Sequence, residues 1–200
     1  TVQYALMTET PVVIAVSQRL GPATGGATQN AQGDLFLVEY ATSGGYPIPI
    51  LCPVDGIDAY ALTGEAFRIA ESLRTPVVLL TDKEVSKTVE TVDLARLPSV
   101  EIATRPAATG DSPFIPYAIQ AVEDVPAFAP VGGPRKVTAT GSAHDAHGRL
   151  KKNDPEVLRQ LDHLTAKIES RRAELEQVRL REREGADVLV VSFGISARAC

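Results

Sequence analysis

Sulfur, tryptophan and aromatic side chains are scarce in this 200-residue chain: it has two cysteines, one methionine, no tryptophan and only 5% aromatic residues. Cys52 and Cys200 lie far apart in sequence and outside any paired motif, which excludes a disulfide scaffold, a four-cysteine zinc site and an iron–sulfur cluster held by this chain alone. A basic excess is also missing. Twenty Lys and Arg stand against 25 Asp and Glu, a net charge of −5, so generic nucleic-acid binding is not expected. No apolar run approaches the roughly 20 residues needed to span a bilayer, and no signal-peptide pattern opens the chain. What remains is an ordinary globular composition, 44% hydrophobic and 22% charged, expected of a cytoplasmic α/β protein with neither a nucleic-acid nor a membrane partner.

The first half alternates strand and helix signals. Val12–Val16, Ile48–Cys52 and Pro76–Thr81 are β-branched or apolar runs suited to buried parallel strands. Between them, residues 32–41 and 58–74 carry helical spacing, the first ending at Gly44-Gly45 and the second preceded by the capping residues Val54-Asp55-Gly56. Strand, helix and strand at this spacing predict a parallel sheet with right-handed crossovers and flanking helices. From Leu97 to Gly148, seven prolines exclude long helices and central strands. This stretch reads as an extended connector, with a short strand allowed at 136–140 and apolar anchors at Phe114, Ile115, Tyr117, Ile119 and Phe128.

A single long helix is then expected from Pro155 to Glu184, with Asp154 as N-cap, Pro155 at the first helical position and Gly185 as the stop. Leu161, Leu164, Ile168, Leu175 and Val178 form its seam, which suits either packing on its own domain or contact with a partner helix. Asp187–Phe193 reads as another buried strand. Helix-like residues at 2–7 and at 195–199 place both ends of the sequence inside secondary elements, the expectation for a piece of a longer polypeptide.

The chemistry is concentrated after the first strand, in Gln18-Arg19-Leu20-Gly21-Pro22-Ala23-Thr24-Gly25-Gly26. Ligands bind open α/β sheets at the carboxyl ends of their strands. Glycines at 21, 25 and 26 allow close backbone approach, Pro22 stiffens the turn, and Arg19 offers a planar cation for a carboxylate or phosphate. Thr24 and Thr28 add hydroxyls. The glycine spacing matches neither a Walker loop nor the dinucleotide fingerprint. His144 and His147 lack the further ligands a zinc site needs, and they read as a polar turn. His163 reads as a surface or partner contact. Asp82 and Glu84 read as favourable charges opening the next helix, and Cys52 as a small core residue.

The string QRLGPATGGATQNAQGDL, followed by SGGYPIPILCP, DAYALTGEAFRIAESLRTPVVLLTDKE and, further on, GSAHDAHGRL and NDPEVL, resembles the α subunit of 2-oxoacid:ferredoxin (acceptor) oxidoreductases. The chain keeps the arginine, second glycine, proline, threonine and final glycine of that family's Gln-Arg-Gly-Gly-Pro-Ser-Thr-Gly loop, and departs at Leu20 and Ala23. The resemblance implies the later part of a transketolase-like pyrimidine-binding domain over 1–95, a connector and long helix over 96–186, and the first strand of a second α/β domain over 187–200.

It further implies that Arg19 pairs with the carboxylate of a 2-oxoacid such as 2-oxoglutarate or pyruvate, within a substrate loop of Gly21, Pro22, Thr24 and Gly25. Decarboxylation would use thiamine diphosphate with magnesium, shared with a partner β subunit. An iron–sulfur cluster on another subunit, ferredoxin as electron acceptor, coenzyme A as acyl acceptor and a hetero-oligomer complete the implication. The family segment that activates the cofactor would lie upstream of Thr1, so no catalytic residue is expected within the chain and the isolated fragment is expected to be inactive. A non-catalytic assembly module, or a dehydrogenase component passing its acyl group to lipoamide, are the rival readings.

Overall fold

A computed structural model describes residues 1–22, 26, 28–101, 103–110 and 113–200. Three parallel strands form the sheet: β1 (Val12–Gln18), β2 (Ile50–Leu51) and β3 (Pro76–Asp82), in the order β1-β3-β2. Val12 pairs with Pro76 and the register runs to Gln18 opposite Asp82, while Ile50 and Leu51 face Val78 and Leu79. The central strand β3 reads PVVLLTD and is buried at every position but Thr81, as a parallel strand covered on both faces should be. β1 was expected to be equally buried. It lies instead at an edge, with Ala15 and Ser17 exposed.

Helix α1 (Val2–Met7) precedes β1, and α2 (Leu35–Glu39) is shorter than the span 32–41 predicted for it. Helix α3 (Gly56–Leu73) starts where Asp55 caps the Asp58 amide at 2.9 Å, and it lays Ala66, Ile69, Ala70 and Leu73 on β3. A short α4 (Lys83–Lys87) and a 3-10 turn (Leu94–Arg96) lead into the connector.

The connector is extended and docked, as its prolines and anchors predict, but no strand forms at 136–140. Arg74, at the end of α3 in a left-handed conformation (φ +49°), holds much of it. Its Nη1 donates to the carbonyls of Pro116 (3.3 Å), Pro126 (3.1 Å) and Ala127 (2.9 Å). A proline-rich segment has few amides for a ladder, so its carbonyls need a cation of this reach. Arg74→Met strands those three acceptors and is expected to lower unfolding free energy by about 2–4 kcal/mol, measured by urea denaturation.

The predicted long helix is two pieces. α5 (Pro155–Glu169) is followed by a break at Ser170-Arg171 and the single turn α6 (Arg172–Leu175). Arg171 sits at the one seam position without an apolar side chain, and its guanidinium turns to the carbonyls of Glu123 and Lys167, both at 2.9 Å. Leu164 and Ile168 are buried in the two halves of the core, so α5 spends its seam on its own domain and the partner-helix reading falls. Asp187–Phe193 forms no strand here, and Val188, Leu189, Val190 and Val191 are 66–86% exposed. A strand run without neighbouring strands has nowhere to place its amides. α7 (Gly194–Ala199) follows.

At the amino-terminal end of the sheet, α5 is fastened by buried charge. Glu9, also left-handed (φ +46°), accepts from Lys167 Nζ at 2.6 Å and His163 Nε2 at 3.1 Å on the same Oε2. His163 is fully buried, not a surface group, and its Nδ1 meets the Val122 carbonyl at 2.8 Å. His144 is buried too. Its two ring nitrogens lie against the carbonyls of Asp145 (2.9 Å) and Met7 (3.1 Å), and its ring packs 4.1 Å from that of Tyr117.

Candidate functional site

β1 delivers Arg19 to the carboxyl end of the sheet, where α/β folds gather their ligands. The loop behind it, 19–33, closes at its base. The Arg19 amide donates to Asp34 Oδ2 at 3.0 Å, the Leu20 amide to the Gln29 carbonyl at 3.1 Å, and the Gln29 amide to the Gly26 carbonyl at 2.9 Å. Asp34 stands at the start of α2 but does not cap it, because its carboxylate is committed to Arg19. Lys83, in the first turn of α4, donates to the Thr28 carbonyl from the adjoining strand end.

Of the glycines singled out by sequence, Gly26 is needed for close approach: a Cβ there would collide with the Leu20 carbonyl. Gly21 is not. It is exposed and open around its Cα, so it leaves room beside Arg19 without a backbone demand. Pro22 is exposed beside it, after a cis Gly21–Pro22 bond. Thr24 and Gly25 lie outside the described residues.

The decisive feature is electrostatic. Arg19 is half-buried, and its Nη1 is enclosed by the protein with no hydrogen-bond partner among the described residues. A guanidinium nitrogen withdrawn from water and left unpaired is costly, and an anion placed there removes the cost. Gln18, fully buried just before it, donates Nε2 to Asp82 Oδ1 at 3.0 Å, which leaves its own Oε1 without a donor among the described residues. The two cavities described, of about 580 and 510 Å³, lie elsewhere, one beneath α3 and Arg171 and one beside Lys151–Pro155.

Sequence reasoning missed the role of Asp82. It does stand before α4, but its carboxylate makes no cap and turns inward to Gln18 and to the Ile195 amide at 2.6 Å. Nothing in the local sequence distinguishes it from an N-cap, because its partners are 64 and 113 residues away. Cys52 is half-buried near the same carboxylate; burial, with Asp82 adding to it, pushes its thiol up to about 11, so it is no nucleophile. Among the described residues no group of three His, Cys, Asp or Glu side chains could hold a metal, and no helix is long and apolar enough to cross a membrane.

An open parallel sheet with flanking helices, its strands' carboxyl ends turned to the loops, makes this an α/β domain of the class that binds ligands at that edge. The chain belongs to the pyruvate flavodoxin/ferredoxin oxidoreductase thiamine-diphosphate-binding family, whose pattern matches residues 1–161. It is 35% identical over 99% of its length to the 2-oxoglutarate synthase subunit KorA of Methanothermobacter marburgensis, and covers 52% of that protein. It is 29% identical to subunit alpha of 2-oxoacid:ferredoxin oxidoreductase 1 of Aeropyrum pernix, over 96% of this chain and 30% of that one. The fold matches that of a 2-oxoglutarate:ferredoxin oxidoreductase from Magnetococcus marinus, solved with 2-oxoglutarate, coenzyme A and succinyl-CoA bound, with a TM-score of 0.75 and 24% identity, over 88% of this chain and 31% of that one. The chain thus spans about half, or less, of the length of these relatives.

Proposed function

We propose that this chain is the substrate-carboxylate part of the α subunit of a thiamine-diphosphate-dependent 2-oxoacid oxidoreductase, acting in the cytoplasm. The observation that carries the reading is the enclosed Nη1 of Arg19 at the carboxyl end of β1, which has no hydrogen-bond partner among the described residues. The carboxylate of a 2-oxoacid matches the guanidinium in charge and in planarity. Gly21 and Pro22 are exposed beside Arg19, and Thr24 and Gly25 complete the loop by the resemblance of its sequence. 2-Oxoglutarate is the favoured substrate, because the KorA relative is named for it.

The described residues offer an anion partner and no metal-ligand cluster. They fit the substrate side of a thiamine diphosphate site, with the diphosphate and its magnesium held by a partner β subunit. When bound, thiamine diphosphate supplies the nucleophile and electron sink for decarboxylation. This chain contributes placement. Arg19 orients the carboxylate, Asp34 fixes the Arg19 backbone, and Lys83 steadies the far side of the loop. The reading requires an iron–sulfur cluster on another subunit, ferredoxin as electron acceptor and coenzyme A as acyl acceptor, in a hetero-oligomer.

Residues 1–95 are on this reading the later part of the pyrimidine-binding domain, 96–186 the connector and helix, and 187–200 the entry to a second α/β domain. Four consecutive exposed aliphatic side chains at 188–191 suit the first strand of that second domain.

The test is an assay of the full-length chain purified with its partner subunit. Reduction of a low-potential acceptor that needs both 2-oxoglutarate and coenzyme A is expected. Turnover independent of coenzyme A, with acyl transfer to lipoamide, would replace the reading with a dehydrogenase component, and no 2-oxoacid turnover would overturn it.

A further inference from the structure

From Arg181 to Val191 every residue is exposed, yet the chain then returns and anchors at the base of the Arg19 loop. Gln32, near the end of that loop, uses its whole amide for the anchor. Nε2 donates to the Phe193 carbonyl at 2.8 Å and lies 3.5 Å from Asp82 Oδ2, while Oε1 accepts from Ser196 Oγ at 3.1 Å. Asp82, 1% exposed, receives the Ile195 amide on Oδ2 and Gln18 Nε2 on Oδ1. Gly194 makes the approach possible: it is buried with φ +57°, and a Cβ would run into the Asp82 carboxylate. The two residues that frame the loop thus both meet residues 193–196, Gln32 directly and Gln18 through the buried Asp82 carboxylate.

We infer that Gln32 and Asp82 form a latch that sets the Arg19 loop according to the position of segment 193–196, which follows the exposed stretch 181–191. Gln32 and Asp82 are positioning residues. They act on substrate through Arg19 and touch no substrate themselves. A shift of 193–196 pulls on both ends of the loop at once, because hydrogen bonds that converge on the buried Asp82 carboxylate tie the junction together. Only the kinetic arm of the test rests on the substrate role of Arg19.

The full-length chain with its partner subunit is compared with its Gln32→Ala and Ser196→Ala variants by amide hydrogen exchange. The amides of Arg19, Leu20 and Gln29 are expected to exchange about tenfold faster in both variants, while those of Val13–Val16 in β1 stay as they were. Ser196→Thr, which keeps the hydroxyl, is expected to restore the original rates. In the kinetic arm, KM for the 2-oxoacid is expected to rise about three- to tenfold with a smaller change in kcat. Unchanged exchange in the loop, or acceleration that includes β1 equally, overturns the latch. A loosened loop with an unchanged KM overturns its positioning role. Should the unsubstituted complex turn over no 2-oxoacid, the proposed function fails and the exchange data still decide the latch.

Discussion

Arg19→Ala in the full-length protein with its partner is expected to lower kcat/KM for a 2-oxoacid by roughly 10- to 150-fold, the equivalent of about 1.5–3 kcal/mol for a charge-assisted hydrogen bond. Most of the loss should fall on KM. Decarboxylation drains negative charge from the carboxylate as the C–C bond breaks, so a cation facing it strengthens binding more than bond cleavage. Arg19→Lys should recover part of the loss only, since an ammonium supplies charge without the planar fork. The structural cost is small, because the Arg19 backbone is held by Asp34 whatever the side chain, and its Nη1 has no described partner to abandon. A variant with unchanged kcat/KM would show that Arg19 does not bind the carboxylate.

The second large effect is on stability. Glu9, Lys167 and His163 are at most 2% exposed, and Glu9→Gln leaves the Lys167 ammonium buried opposite a neutral amide. Breaking a buried pair from one side costs about 3–5 kcal/mol, a large share of the 5–15 kcal/mol that holds an average domain. Glu9→Gln with Lys167→Met removes both charges, and is expected to be more stable than Glu9→Gln alone when both are unfolded in urea.

The same carboxyl gives a pH signature. Burial by itself would raise its pKa, but Lys167, His163 and Arg74 outweigh burial and bring it from 4.5 down to about 2. The folded value lies below the unfolded one, so this stabilisation is complete above about pH 4.5 and is lost as pH falls toward 2. Unfolding free energy should drop by about 3 kcal/mol across that window in the unsubstituted protein. The slope should be flatter in Glu9→Gln, and an identical slope in the two proteins would remove Glu9 from this role.

The elements that were legible in sequence are those whose signal is local. Pro76–Asp82 is a continuous apolar run, Asp55 and Asp154 are caps within three residues of the amides they bind, and the prolines of 97–148 forbid regular structure wherever the segment lies. The helix over 155–184 was overextended because Glu and Arg have good helix propensity and their pairs support a helix weakly. Glu169–Arg172 does form at 2.6 Å, but Arg171 ends the helix by reaching for the Glu123 carbonyl of the connector, 48 residues away in sequence. The run at 187–193 forms no strand among the described residues because, although its side chains fit a sheet, a sheet needs neighbours that a periodicity cannot supply.

Residue order alone determined that Arg19 follows a parallel strand, and a strand's carboxyl end is where this fold class offers a cation to a ligand. It also determined the family, through a loop whose glycines, proline and arginine are contiguous. Tertiary structure alone decided that the Arg19 Nη1 is enclosed and has no partner among the described residues, that Asp82 faces inward to Gln18 and Ile195, and that His163 is a buried partner of Glu9. The reason is one of range. Propensity and capping act over three or four residues, whereas desolvation and the pairing of buried polar groups depend on atoms that folding brings from 60 to 150 residues away.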